Sequence, residues 1–130
     1  MVNNFDQTAI EEAVAQVLRD ADVSKNVYYN RPSSAKANLS DFVVCKVSGR
    51  IGDLYAFGEC TLSIHLFAKD AQNFKSGTKL SVMQAKVIES MPRSIDNLLI
   101  DNTPNIVGDT SDGNDYHVRI INYSLILKSV

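Results

Sequence analysis

The chain has 130 residues and a net charge of -2, with 45% hydrophobic and 22% charged residues. That is enough for one domain over residues 1–130 with a real core and no need of disulfides or metal. The interspersed charge lacks the basic block of a duplex-DNA binder, and no apolar run approaches a membrane span.

The first residues, Met-Val-Asn-Asn-Phe-Asp-Gln, have neither the basic nor the apolar region of a secretory leader. Residues 6–21 have helical periodicity, with Ile10, Ala13, Val14, Val17, Leu18 and Ala21 on one stripe. Glu11, Glu12, Gln16, Arg19 and Asp20 fall on the other side, Asp6 is placed to cap, and Thr8 with Glu11 has capping-box spacing. Val27-Tyr28-Tyr29 is a short β-prone run. Residues 31–40, with Arg31-Pro32, read as a polar exposed loop.

Residues 41–48 alternate, with Val43, Cys45 and Val47 on one face and Phe42, Val44 and Lys46 on the other. A turn is expected at 49–53, then a long strand over 54–68 that Gly58 bends. Cys60, Leu62, Ile64 and Leu66 face one way, and Thr61, Ser63 and His65 the other. Cys45 and Cys60 read as reduced, packed thiols, with a disulfide as the alternative.

The period returns to helical over 78–90, with Leu80, Met83, Val87, Ile88 and Met91 on one side, Thr78 as cap and Pro92 as stop. Leu98-Leu99-Ile100 and Asn105-Ile106-Val107 flank Thr103-Pro104, which breaks or bulges that strand. Residues 109–115 are a turn cluster. A closing strand then sets Ile121, Tyr123, Leu125 and Leu127 against Tyr116, Val118, Ile120, Asn122 and Ser124. The expected fold is α+β, in the order α-β-β-β-α-β-β, with an antiparallel β-sheet and both α-helices packed on one face.

Catalytic and metal-binding spacings are lacking. His65 and His117 stand apart from other ligand types, and Cys45 has no neighbouring base in sequence. Asp109, Asp112, Asn114 and Asp115 resemble an oxygen-rich calcium loop but lack its spacing and closing glutamate. Gly49-x-x-Gly52 joins two strands rather than opening a helix, so it does not cradle phosphate. Ser33, Ser34 and Lys36 are explained by a solvated loop. Tyr28, Tyr29, Phe42, Tyr55 and Phe57 cluster near the first strands. On the sheet face away from the helices they would form an apolar patch for a protein partner.

This succession resembles the tail-terminator or tail-completion proteins of long-tailed phages, also grouped as minor tail or neck proteins. The resemblance rests on chain length, the helix from Ile10 to Ala21 leading into a strand, and the polar loop with Arg31-Pro32. It rests further on the hairpin over 42–68, the one-sided helix over 80–91, and the final hairpin ending in Tyr123-Ser124-Leu125-Ile126-Leu127. The resemblance implies a non-enzymatic subunit of a hexameric ring, without cofactor. Such a ring caps the tail tube and joins it to the head, meeting tail-tube and head-completion proteins. It implies a place in the virion, after assembly in the host cytoplasm, for a phage or prophage product. Tyr28, Tyr29, Arg31, Phe42, Tyr55, Phe57 and Tyr116 are the candidate partner or oligomer contacts. Loops 31–40 and 108–115 are candidates for docking.

Two alternatives stand beside it. A small ligand-binding or enzymatic α+β domain would use a pocket between sheet and helices, with His65, His117, Asp115 and Arg119 as its polar groups. Double-stranded-RNA binding would need a basic start to the second helix, where only Lys75 and Lys79 occur, and would leave two strands unexplained.

Overall fold

A computed structural model describes residues 7–29, 40–50, 59–70, 77–95, 98–101, 103–111 and 116–127. The elements are α1 (Gln7–Asp20), β1 (Val27–Tyr28), β2 (Asp41–Arg50), β3 (Glu59–Lys69) and α2 (Gly77–Ser90), followed by β4 (Ser94–Ile95), β5 (Leu98–Ile100), β6 (Asn105–Ser111) and β7 (Tyr116–Leu127). The fold is α+β, a single sheet with both helices on one face. The strand path is β1-β2-β3-β7-β5-β4, with β6 also paired to β7.

The sheet is antiparallel except at its margin, where β1 runs parallel to β2, with Val27 opposite Val43. Among the described residues four strands follow α2, where two were expected. The break expected at Thr103-Pro104 separates β5 from β6, and both then lie along the same side of β7. Ile100 is opposite Leu125 and Asn105 is opposite Asn122. Asp101 holds the break by accepting from the Thr103 amide at 2.9 Å and hydroxyl at 2.6 Å, an Asx turn before Pro104.

Pairing also extends strands into residues expected as turns. Gly49 and Arg50 continue β2 opposite Cys60 and Glu59. Residues 109–111 continue β6 past a bulge between Val107 and Thr110. The proposed cap Asp6, the loop at 31–39, the turn at 51–53, Gly58 and residues 112–115 lie outside the described residues.

The core is the helix-facing side of the sheet. Val43, Cys45 and Val47 of β2, Leu62, Ile64 and Leu66 of β3, and Ile121, Tyr123 and Leu125 of β7 form three apolar rows. Val14, Ala15 and Leu18 of α1 and Leu80, Met83 and Val87 of α2 cover them. The α2 stripe is as expected except for Ile88, which is 42% exposed on the helix flank. Thr78 lies inside α2, which begins at Gly77.

The α1 stripe is rotated from its expected phase. Glu11, expected on the solvent side, is buried with Val14, Ala15 and Leu18, while Ala13 and Val17 are half-buried. The helix ends in a Schellman motif, with Val23 N–H donating to Leu18 at 3.1 Å and Asp22 at φ 59°.

The register separates the cysteines. Cys45 faces Ile64, while Cys60 faces Gly49, four positions along the strand. That is roughly 14 Å between Cα atoms, beyond the roughly 7 Å a disulfide spans. Cys45 is a free thiol, and burial, reinforced by the Glu11 charge, pushes its pKa up to about 12. It is an inert core residue.

Tyr123 is buried to 2%, and its hydroxyl has no hydrogen-bond partner among the described residues. Burial pushes its pKa up to about 12. A buried hydroxyl without a partner costs about 1–3 kcal/mol of desolvation. Tyr123→Phe is therefore expected to leave stability unchanged or raise it by about 1 kcal/mol in urea denaturation. A loss above about 1 kcal/mol would show that the hydroxyl is bonded.

Candidate functional site

The face of the sheet turned away from the helices is divided in two. At one end Phe42, Val44, Phe67, Tyr116 and Val118 form a second buried cluster, joined by the half-buried Tyr28 and Ile120. Phe42 stacks on Phe67 with centroids 4.3 Å apart, and Tyr116 meets Phe42 edge-on at 5.3 Å. The cross-strand rows that follow are hydrophilic. Lys46, Ser63 and Asn122 form one, Ser48, Thr61 and Ser124 the next, and Ser63 donates to Asn122 at 2.7 Å.

This division places the candidate contact residues. Phe42 and Tyr116 are buried within the chain, and Tyr28 is half-buried beside them. Tyr29 lies on the other side, half-buried against the helix-side core, where a hydrogen bond to Glu12 and its charge raise the phenol pKa. Arg31, Tyr55 and Phe57 lie outside the described residues.

The polar groups of the pocket reading are dispersed. His65 shares the far face with Phe67, its ring 6.5 Å away. His117 lies on the helix-facing side at the start of β7, its Nδ1 2.6 Å from Asp70. Arg119 is on that side too, under α2, donating to Ser81 at 3.0 Å and Gln84 at 2.9 Å. Asp115 is outside the described residues. Among the described residues no group of three or more His, Cys, Asp or Glu is placed to hold a metal ion, and no helix is long and apolar enough to cross a membrane.

Sequence periodicity missed how differently the β1/β2 margin and the β6 margin of the sheet are finished. At the β1/β2 edge α1 supplies side-chain partners for main-chain groups. Glu11 accepts from the Val47 amide at 2.8 Å, and Arg19 donates to the Val27 carbonyl at 2.7 Å. The Asn26 carbonyl accepts from the Val43 amide at 2.9 Å. The only sequence signal was Glu11 itself, a carboxylate beside the apolar stripe at i+3 to Val14 and i+4 to Ala15.

The corner where β2 begins is tied by Asp41. Lys79 of α2 lies 2.8 Å from its carboxylate, and the Ser24 hydroxyl also donates to it. Burial opposes ionisation of Asp41, but Lys79 and Ser24 outweigh it and hold the carboxyl below its usual value. A depressed carboxylate stabilises the fold above its unfolded pKa, and that contribution is lost as pH falls below about 4 through the folded value. Asp41→Asn is expected to cost about 1 kcal/mol at pH 7 and to flatten the decline in stability from pH 4 to pH 3. Urea titrations at three pH values test this, and an unchanged acid slope would refute it.

At the β6 edge the strand pairs with β7 alone among the described strands. Residues 105–108 are exposed, with Ile106 at 39% and Val107 at 40%. These two point to opposite faces, because Ile106 sits opposite Ile121 of the helix side and Val107 opposite Ile120 of the far side.

No family model matches the chain, and no curated protein matches it in sequence. Among solved structures it is similar to a chain of the virion of a native gene transfer agent (GTA) particle, at 12% identity and a TM-score of 0.55. The likeness covers 93% of this chain and 91% of that one. At that identity the likeness is one of fold, extending over nearly the whole of both chains.

Proposed function

We propose that this protein is a non-enzymatic structural subunit of a phage-like particle. Its specific role is that of a tail-terminator-like ring subunit that caps the tail tube and joins it to the head. The observation that carries the reading is the near end-to-end fold likeness to a virion chain. The separation of His65 and His117 onto opposite faces of the sheet supports it over the pocket reading. The partners are further copies of the chain, a tail-tube protein and a head-completion protein. The chain would reside in the virion after assembly in the host cytoplasm. In a ring, the hydrophilic rows through Lys46, Ser63 and Asn122 supply a water-facing wall, while the exposed apolar groups supply contacts.

Size-exclusion chromatography with light scattering, alone and with tail-tube protein, tests this. A ring-sized species, or a stoichiometric cap on tube ends in electron micrographs, is expected. A chain that stays monomeric at high concentration and ignores the tube protein would refute the reading.

A further inference from the structure

We draw no further inference here: the strongest candidate, the exposed margin of β6 at Ile106 and Val107, carries nothing because nothing in the structure shows what covers it.

Discussion

Phe42→Ala is expected to destabilise the chain by about 3–4 kcal/mol, the cost of deleting a buried phenyl ring. The ring is 8% exposed, stacks on Phe67 at 4.3 Å and receives the edge of Tyr116 at 5.3 Å. Its loss removes buried apolar area, two aromatic contacts and the tight packing around Val44 and Val118. For a domain of this size the melting temperature should fall by roughly 10 °C. Phe42→Leu, which keeps most of the volume, should cost about 1–1.5 kcal/mol. Urea denaturation at a concentration where the chain is monomeric separates this from any role in association. A change below about 1 kcal/mol for Phe42→Ala there would show that the second cluster is not a core.

Glu11→Ala is expected to cost about 2–3 kcal/mol, and Glu11→Gln about 1. The carboxylate is buried and accepts from the Val47 amide at 2.8 Å. Truncation strands that buried N–H, whereas glutamine retains an oxygen at the same reach. The local signature is hydrogen exchange at the Val47 amide, which should speed up strongly in Glu11→Ala and only slightly in Glu11→Gln. The alanine variant also uncovers a strand edge, so it should aggregate more readily on heating. Equal stability of the alanine and glutamine variants would mean that the edge contact contributes nothing.

The inner rows of the sheet were legible in the sequence. The alternation in β2, β3 and β7 set Val43 against Phe42 and Val44, Ile64 against His65, and Ile121 against Val118 within each strand, while the structure shows which face the helices cover. A period of two leaves little freedom once one face is apolar. Helix phase was legible to within about one residue, since the stripe Ile10-Val14-Leu18 admits a small rotation. What fixed that rotation was the Val47 amide, 36 residues from Glu11, which no local pattern encodes. The partners of 98–100 and 105–107 were equally hidden. Thr103-Pro104 announced a break, but only the length of β7 made both pieces neighbours of the same strand. Residues 109–111 have turn composition, and pairing of Thr110 and Ser111 with Val118 and His117 overrode it. At the candidate surface Ile106 and Val107 were visible as apolar residues, while their exposure depended on β6 lying at the margin.

The position of β7 has a consequence for how the molecule is made. This twelve-residue strand joins β3 along one side and β5 and β6 along the other, yet it is the last described element to be synthesised. A nascent chain that has reached residue 115 has its helices and the β2–β3 hairpin but lacks the strand that joins the two halves. Folding must therefore await synthesis of β7 and close contacts of long sequence separation, which makes it slow relative to a helical bundle of equal size. During that wait β3 and β5 are bare to other nascent chains, so ribosome-bound chains should depend on chaperone cover until residue 127 is free.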